Sequence, residues 1–362
     1  MKIIFVCTKS ITFNTFLKSQ ADFFIKKGLE IGVACSDSEN LNLKSNLSYK
    51  INFPSKILDF INLFKYLKIF IQVKTLVKEN PSAIFYLHTP LASHLFRLFT
   101  FFDRLKIVYF VHGFRFTSKT NPIKGSFLQV IEKILSIKTN LFITINNEDY
   151  YYCRSNLTKK SSCYKINGVG LDLPRNHFKK KLRNKHQIKR ILVIAAYKKE
   201  KGYFEVLRAA QILNKQKIKI DCYGYGDIRK YDLIKNQKKI KNISLKNFDK
   251  KLQNKIKEYD ILLHLSYREG LPVSVMQSLS MGLPVICYKI RGNEDLIKNR
   301  YNGYFVGSYK DVTKIISYLN KNPLVYNRIR KNAFKSINKN FLKKEINLNI
   351  FNIFKYYFKY KK

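Results

Sequence analysis

The sequence predicts an α/β protein built from two domains, each containing a parallel β-sheet. The chain has 362 residues, of which 46% are hydrophobic, and this is enough material for two ordinary cores. Short runs of β-branched and aromatic residues alternate with amphipathic helical segments along its whole length, as in parallel-sheet construction. The polar stretch from Leu173 to Lys189, with a lysine run at 179–181, separates two such series. We therefore expect an N-terminal domain over residues 1–170 and a C-terminal domain over residues 171–340.

The strands of each domain are predicted from these short apolar runs. The first series is Ile3–Cys7, Ile31–Cys35, Ala83–Leu87, Ile107–Val111, Leu141–Ile145 and Cys163–Ile166. The second series is Arg190–Ala195, Ile218–Tyr223, Ile243–Leu245, Ile261–Leu265, Pro284–Cys287 and Gly303–Val306. In the last segment, residues 341–362, apolar residues recur at helical spacing, which predicts a long amphipathic helix from Lys343 to Tyr360.

The chain starts with a strand-like run from Lys2 to Cys7 rather than with a targeting segment. It lacks the long apolar region and the small-residue cleavage site of a signal peptide, and we expect a cytoplasmic protein. The six cysteines are scattered, without a CxxC pair or a histidine at zinc spacing, and most lie in apolar runs. They are therefore predicted to be buried free thiols.

The chain carries a large positive charge, with 69 Lys and Arg against 24 Asp and Glu. Residues 1–170 hold 24 basic and 10 acidic residues and the remainder holds 45 and 14, so the excess is spread over both halves. An acidic partner would explain it, whether nucleic acid, an anionic membrane surface or phosphorylated small molecules. A biased codon supply, which the abundant Lys, Asn, Ile, Phe and Tyr indicate, explains it equally well.

The most apolar stretches, Ile57 to Val77 and Leu95 to Phe110, are interrupted by charged residues and are too short to predict a membrane-spanning helix. In the first stretch, aromatic and aliphatic residues recur at three- and four-residue spacing with lysines between them. This pattern predicts either an interfacial amphipathic helix or an ordinary helix packed on a sheet.

The most informative stretch is SYREGLPVSVMQSLSMGLPVI, residues 266–286. It follows an apolar strand, turns at Gly270 and restarts as a helix with Pro272 near its first position. Glu269 is thereby placed at the carboxyl end of a strand, where open α/β sheets bind ligands. The free N–H groups of the following helix are suited to a diphosphate, and Gln277 lies about two helical turns further on.

This stretch resembles the family 4 glycosyltransferases, whose pattern is Ser-x-x-Glu-Gly-x-Pro with a second Glu eight positions after the first. The resemblance implies the GT-B fold, in which two Rossmann-like domains with parallel sheets face a central cleft. It implies that Glu269 is catalytic and hydrogen-bonds hydroxyls of the donor sugar, and that position 277 meets the ribose. Here Gln277 replaces the second Glu and loses a charge-assisted bond, which is typically about twice as strong as a neutral one. The other donor-binding positions of the stretch are Gly270, Leu271, Pro272 and Val273.

Three further landmarks end predicted strands, in the order found in the branch of this family that acts on lipid-linked surface polysaccharide precursors. They are Leu87-His88-Thr89-Pro90, Val111-His112-Gly113-Phe114 and Ile143-Thr144-Ile145-Asn146. The resemblance makes His112 a catalytic residue that approaches the donor sugar near its reacting carbon, where an imidazole can donate to a hydroxyl or to phosphate. We assign His88, Thr89 and Asn146 to the acceptor side, and a structural role for His88 is an equal alternative.

The residues after the first strand of the second domain also match the family, in which an Arg and a following Lys-Gly pair clamp the diphosphate. Lys201-Gly202 matches the pair, whereas the position of the Arg holds Ala196, for which Lys198 is expected to substitute. A cation here would stabilise the negative charge that develops on the departing nucleoside diphosphate.

Three glycine-containing turns complete the resemblance. Gly224-Tyr225-Gly226 matches a donor-binding turn near the base and phosphate of the nucleotide. Asn167 to Asp172 matches the crossing between domains, where close backbone approach favours glycine. Arg291-Gly292-Asn293 matches a turn of the lipid-carrier branch to which we assign no role.

The resemblance implies a retaining transfer of a hexose or N-acetylhexosamine from a UDP-sugar to a polyprenyl-diphosphate-linked glycan, in capsule, O-antigen or exopolysaccharide synthesis. The sequence has no Asp-x-Asp element, so we expect neither a metal nor another cofactor. The leaving phosphate is expected to take the acceptor proton, and no protein base is assigned. The expected partners are the UDP-sugar, the glycan acceptor and an anionic membrane surface, with the protein peripheral on the inner face of the plasma membrane.

Three alternatives stay open from the sequence. A sugar-nucleotide 2-epimerase shares the two-domain architecture but would need general acid and base residues that are not evident in this chain. A basic nucleic-acid-binding protein would fit the charge, although no recognition helix, zinc finger or aromatic RNA-binding motif is present. A degenerate transferase that binds its donor without turnover would fit Gln277 and Ala196.

Overall fold

The computed structural model describes residues 1–42, 47–54, 63–157, 163–172, 187–249, 251–337 and 339–360. The chain divides into two compact units. Unit 1 comprises Met1–Gly170 together with Lys343–Lys362, and unit 2 comprises Leu171–Leu342. Most of the predicted connection from Leu173 to Lys189, including the lysine run at 179–181, lies outside the described residues.

Unit 1 contains a seven-stranded, fully parallel sheet in the order β3-β2-β1-β4-β5-β6-β7. Its strands are β1 Lys2–Val6, β2 Glu30–Cys35, β3 Ser48–Lys50, β4 Ile84–Leu87, β5 Lys106–Val111, β6 Leu141–Thr144 and β7 Cys163–Lys165. All the strands predicted for the first series are confirmed, with ends that differ by about one residue. The additional strand, β3, was not predicted because it is a three-residue edge strand that lacks an apolar run.

Unit 2 contains a six-stranded parallel sheet in the order β10-β9-β8-β11-β12-β13. Its strands are β8 Arg190–Ile194, β9 Lys219–Gly224, β10 Ile243–Asn247, β11 Ile261–His264, β12 Val285–Tyr288 and β13 Gly303–Val306. All the strands predicted for the second series are confirmed. In both sheets the strand order reverses beside the first strand of the unit, between β1 and β4 and between β8 and β11. Such a switch point is where open α/β sheets bind ligands, at the carboxyl ends of the strands.

The helices connect these strands and cover the sheets. Within Met1–Gly170 of unit 1 they are α1 Ser10–Thr12, α2 Lys18–Lys26, α3 Leu63–Glu79, α4 Pro90–Phe99, α5 Pro122–Ser136 and α6 Asn147–Tyr152. In unit 2 they are α7 Tyr203–Leu213, α8 Arg229–Gln237, α9 Leu252–Lys255, α10 Val273–Ser280, α11 Asn293–Leu296, α12 Tyr309–Lys321 and α13 Pro323–Ser336, and the last helix of the chain is α14 Lys343–Lys355. Single π-helical turns at Phe13–Leu17, Cys153–Leu157 and Tyr356–Tyr360 extend α1, α6 and α14, and 3₁₀ turns occupy Ser38–Asn40, Lys199–Lys201, Asn214–Gln216, Ile256–Glu258 and Lys339–Phe341.

The last helix, α14, packs on α2 of the first unit. The Phe354 ring lies 5.8 Å from that of Phe24 and 5.0 Å from that of Tyr86, and the Asn347 side chain donates to the Ser19 carbonyl oxygen at 3.2 Å. The helix predicted from Lys343 to Tyr360 thus returns to the sheet that the start of the chain forms.

The predicted helix at residues 57–77 is seen as α3, and its first residues, 57–62, lie outside the described part of the chain. Ile69, Val73 and Leu76 are buried in the core of unit 1, so α3 is a helix packed on the sheet. On the opposite face of α3, the side chains of Phe64 and Leu67 are exposed, so this face is also apolar.

All six cysteines are buried free thiols, as predicted. Within the described residues, no helix is both long enough and apolar enough to cross a bilayer.

Candidate active site

The switch point of unit 1 joins Thr8, just after β1, to Thr89, just after β4. The Thr8 backbone N–H donates to Thr89 Oγ1 at 3.2 Å, and the two hydroxyl oxygens are 2.8 Å apart. Thr89 has a φ of 64°, a left-handed conformation that is strained for a β-branched residue. Strained residues of this kind cluster at ligand sites, and this one lies at the edge of the sheet where a ligand is expected.

His88 and His112 follow the neighbouring strands β4 and β5, and their rings are hydrogen-bonded, with His88 Nδ1 and His112 Nε2 3.0 Å apart. The His88 ring is fully buried between aromatic side chains and stacks on Phe5 with 5.6 Å between the centroids. Burial, and secondly the proximity of His112, hold the pKa of His88 well below its ordinary value. Burial also lowers the pKa of His112 to about 4, so both imidazoles are neutral at neutral pH.

The neutral pair has a preferred arrangement of protons. His88 Nε2 is buried and lacks a hydrogen-bond partner among the described residues. A buried donor without a partner is rarer than a buried acceptor without one, so His88 is best protonated on Nδ1 and donates to His112 Nε2. His112 is then left with a proton on Nδ1.

Asn146, predicted on the acceptor side, caps the N-terminus of α6. Its side-chain oxygen accepts from the Asp149 backbone N–H at 2.8 Å, and its nitrogen donates to Asp149 Oδ2 at 2.6 Å. The residue is fully buried at the N-terminus of α6, so its amide stabilises the helix start.

In unit 2 the switch point between β8 and β11 brings Lys201 and Glu269 together. Lys201 Nζ donates to Glu269 Oε1 at 2.7 Å. His264 Nε2, at the end of β11, lies 3.3 Å from the same oxygen but is not aligned for a hydrogen bond, so Lys201 is the better supported partner. Burial alone would raise the pKa of Glu269, but His264 and Lys201 outweigh it and lower that pKa to about 2. Glu269 is therefore an ionised carboxylate, and its side chain is only 11% exposed.

Two glycines make this arrangement possible. Gly202 has a φ of 71°, and a Cβ there would collide with the Leu265 carbonyl oxygen, so the Lys199–Lys201 turn can lie against the end of β11. The Tyr267 N–H donates to the Glu200 carbonyl oxygen at 2.9 Å across the same contact. Gly224 likewise allows the end of β9 to approach Ala195 at the end of β8.

The predicted substitute for the missing Arg, Lys198, is exposed on the extended residue before this turn, and Ala196 is half-buried beside it. Gly226, with a φ of 113°, packs against the Tyr197 backbone. Tyr225, between the two glycines, is exposed and stacks on Phe248 with 4.2 Å between ring centroids. The sequence did not mark this aromatic pair, because the two residues follow different strands.

Residues 270–273 form the turn into α10. Gly270 and Val273 are half-buried and Leu271 and Pro272 are buried, and no side chain caps the N-terminus of the helix. Its free N–H groups therefore match the anion site that the sequence predicts. Gln277 is half-buried further along α10, and its carbonyl oxygen accepts from Ser280 Oγ at 2.7 Å.

The Arg291-Gly292 turn, to which we assigned no role from the sequence, supports Glu269. Arg291 Nε donates to the Glu269 carbonyl oxygen at 2.9 Å, and a Cβ at Gly292 would collide with the Gly270 carbonyl oxygen. His264 was missed altogether, because it ends an apolar run that is typical of a core strand. Among the described residues, no group of three His, Cys, Asp or Glu side chains is arranged to hold a metal ion.

Two family models match the chain, one for each half. Residues 2–146 match the glycosyl transferase 4-like family, and residues 174–336 match the glycosyl transferases group 1 family. The two matches together span most of the chain and include both switch points.

Among curated proteins, the chain is 26% identical to EpsD of Bacillus subtilis over 322 residues, which is 84% of this chain and 83% of that protein. It is 24% identical to the UDP-Gal:alpha-D-GlcNAc-diphosphoundecaprenol alpha-1,3-galactosyltransferase of Escherichia coli over 307 residues, 80% of this chain and 78% of that enzyme.

Solved structures of similar fold include sucrose-phosphate synthase from Thermosynechococcus elongatus, with a TM-score of 0.81 at 11% identity over 99% of both chains. Anabaena HepE in complex with UDP and glucose has a TM-score of 0.74 at 15% identity, covering 97% of this chain and 98% of that one. The similarity to these structures shows the fold, and the two family models show the family. The chain belongs to the family 4 glycosyltransferases and has the GT-B fold.

Proposed function

We propose that the chain is a retaining, metal-independent glycosyltransferase that moves a hexose or N-acetylhexosamine from a UDP-sugar to a polyprenyl-diphosphate-linked glycan. The observation that carries this proposal is the ionised Glu269, held by Lys201 at the switch point of unit 2 beside the uncapped start of α10. The Escherichia coli relative supports the substrate classes, because its name specifies a UDP-sugar and a diphosphoundecaprenol-linked acceptor. The product would enter capsule, O-antigen or exopolysaccharide synthesis at the inner face of the plasma membrane.

In this proposal Glu269 binds the donor sugar as a hydrogen-bond acceptor. With a pKa of about 2 it has no proton to give at neutral pH, so it accepts from sugar hydroxyls and does not serve as a general acid. The Lys201 ammonium has three N–H donors and uses one of them for Glu269, which leaves donors for the diphosphate. Its charge would stabilise the leaving nucleoside diphosphate together with the N–H groups of α10.

His112 would act as a neutral donor. The arrangement of protons favoured by the buried His88 leaves His112 with its Nδ1–H, which can donate to a sugar hydroxyl or to the leaving phosphate. His88 would then be a positioning residue that sets the tautomer of His112. The leaving phosphate would take the acceptor proton, and the lack of an Asp-x-Asp element in the sequence supports metal independence.

Calorimetric titration with UDP and GDP tests the donor site, in moderate salt to suppress non-specific attraction to the many cations. We expect saturable binding of UDP that is tighter than binding of GDP. Lys201→Ala should weaken UDP binding by about tenfold, the effect of about 1.4 kcal/mol. Lys199→Ala is the matched control, because Lys199 is an exposed lysine of the same turn.

Equal loss of affinity in the two lysine variants would show that general positive charge, rather than this site, attracts the nucleotide. Absence of saturable binding to either nucleotide would contradict the proposed donor.

A further inference from the structure

The outer surface of α5 carries a continuous row of large apolar side chains. Each of them is between 51% and 84% exposed, although α5 is well packed on its inner side. Their spacing of four, three, four and three residues places them along one side of the helix and its last turn. They are Ile123, Phe127, Val130, Ile134 and Ile137.

A second row lies on α3. Leu63, Phe64, Leu67 and Ile71 are between 53% and 85% exposed. Both α3 and α5 pack against α4, so the two rows belong to one helical layer of unit 1. We call these two rows together the outer apolar face. Monomeric proteins rarely leave so many neighbouring large apolar side chains in water without a partner.

The charges around the outer apolar face indicate which partner it fits. Residues 63–138 contain twelve Lys or Arg but only three Asp or Glu. Of the acids, Asp103 is paired with Lys74 at 2.7 Å and Glu132 with Arg97 at 2.9 Å, and the third, Glu79, is exposed at the last residue of α3. The exposed lysines of α3 and α5 are Lys68, Lys78, Lys124 and Lys133.

Apolar side chains flanked by lysines match a bilayer that has anionic headgroups over an apolar interior. A second copy of this chain would bring its own lysines to the same surface, and the two copies would repel each other. The charge pattern therefore favours an anionic bilayer over a dimer.

The direction of the helices relates this face to the predicted acceptor side. In a parallel α/β sheet, each connecting helix starts near the carboxyl ends of the strands. The first turns of α3 and α5 hold Leu63, Phe64 and Ile123, which are among the most exposed apolar residues, at the edge where β4 and β5 end in His88 and His112. The structure assigns the outer apolar face to docking on an anionic lipid bilayer, with this edge of the sheet close to the headgroups. Docking would give the protein access to a lipid-linked acceptor, and this part of the inference rests on the proposed function.

Vesicle co-sedimentation of the full chain tests this assignment without requiring activity. The probes are vesicles of phosphatidylcholine mixed with phosphatidylglycerol and vesicles of phosphatidylcholine alone. Phe127→Glu with Ile134→Glu alters the outer apolar face at two exposed positions. Leu233→Glu with Leu324→Glu makes the same charge change at positions of unit 2 that are 62% and 81% exposed, and is the matched control.

We expect the wild type and the control to bind the mixed vesicles at least tenfold more tightly than the α5 variant, and to bind phosphatidylcholine vesicles weakly. Equal binding by the two variants would overturn the assignment, as would equal binding to both kinds of vesicle. A wild-type dimer in lipid-free buffer that the α5 variant converts to a monomer would overturn it in favour of a second copy. UDP titration of the same three proteins distinguishes this assignment from the proposed donor site. If the wild type and both variants fail to bind UDP, the proposed donor site is contradicted, but the assignment of the outer apolar face is not.

Discussion

Two buried carboxylates, Glu132 in unit 1 and Glu269 in unit 2, have nearly the same electrostatic surroundings. Each lies near one permanent cation and one histidine, and each has its pKa lowered to about 2 against the opposing effect of burial. They differ in access to solvent. The partner of Glu132, Arg97, has a side chain that is 0% exposed, whereas the partner of Glu269, Lys201, is 23% exposed at the end of a strand. A shifted pKa therefore does not by itself mark a functional site. The two carboxylates are distinguished by their position, because only Glu269 lies at the carboxyl end of a strand, where ligands bind.

Glu132 joins two helices. It lies on α5, and it accepts from Arg97 of α4 at 2.9 Å and from His94 Nε2 at 2.6 Å when that nitrogen carries a proton. The Arg97 guanidinium also lies 4.5 Å from the centroid of the Tyr109 ring. Since the Arg97 side chain is fully buried and that of Glu132 is only 3% exposed, we interpret this ion pair as a structural clamp.

The largest effect is expected from Glu132→Gln. The substitution leaves the buried Arg97 charge without its counter-ion, which typically costs 3–5 kcal/mol, so we expect a loss of about 3 kcal/mol in the free energy of unfolding. Denaturant unfolding measures it, and Glu79→Gln, at an exposed position of α3, is the control. A loss no larger than that of the control would show that the clamp is not a stabilising element.

The clamp also predicts a dependence of stability on pH. The pKa of Glu132 is about 2 in the fold, compared with an ordinary value of 4.5. Its ionised form therefore contributes stability that is fully present above about pH 4.5 and is lost as the pH falls towards 2. Glu132→Gln should remove this part of the acid sensitivity, and unchanged sensitivity would contradict the pairing.

A smaller effect, on activity rather than stability, is expected from Lys201→Ala. Turnover should fall by about a hundredfold near neutral pH, because a charge near the leaving group is lost. Burial would then act to raise the pKa of Glu269 with less opposition, so the remaining activity should decline as the pH falls through the mildly acidic range. The profile of kcat/KM against pH, with Lys199→Ala as control, measures both effects. A flat profile in Lys201→Ala would show that His264 alone keeps Glu269 ionised.

The smallest effect is expected from Gln277→Glu. A carboxylate would restore a charge-assisted bond to a ribose hydroxyl and should improve affinity for UDP by about fivefold without changing stability. Titration with UDP measures it, and Gln237→Glu, at the exposed end of α8, controls for the added charge. Weaker binding in Gln277→Glu alone would contradict the assignment of position 277 to the ribose.

Much of the fold could be predicted because each buried strand is a short apolar run that is visible in the sequence. The confirmed strands of both units have such runs, whereas β3 has only the half-buried Tyr49 between two exposed residues. The GT-B fold and the family followed from the long motif at residues 266–286, which is a local pattern.

The pairings within the sites could not be predicted in the same way. Lys201 and Glu269 were each predicted as site residues, but they are 68 positions apart in the sequence. Their hydrogen bond forms only because Gly202 lets the Lys199–Lys201 turn lie against Leu265 in the folded unit. Arg97 and Glu132 are 35 positions apart and lie in ordinary helical patterns. His88 could be read as structural or functional until its ring was found against His112. Such pairs depend on which strand ends and helices meet, and this is decided by the assembled sheet.

The most direct test is UDP release from UDP-hexoses and UDP-N-acetylhexosamines, with a polyprenyl-diphosphate-linked glycan as acceptor, by Glu269→Gln compared with wild type and with Glu258→Gln at an exposed position of unit 2. We expect Glu269→Gln to fold normally and still bind UDP, but its turnover should fall by at least a hundredfold, the usual cost of removing one well-placed group of this kind. Turnover in Glu269→Gln equal to that of the control would contradict the proposed role of Glu269 at the donor sugar.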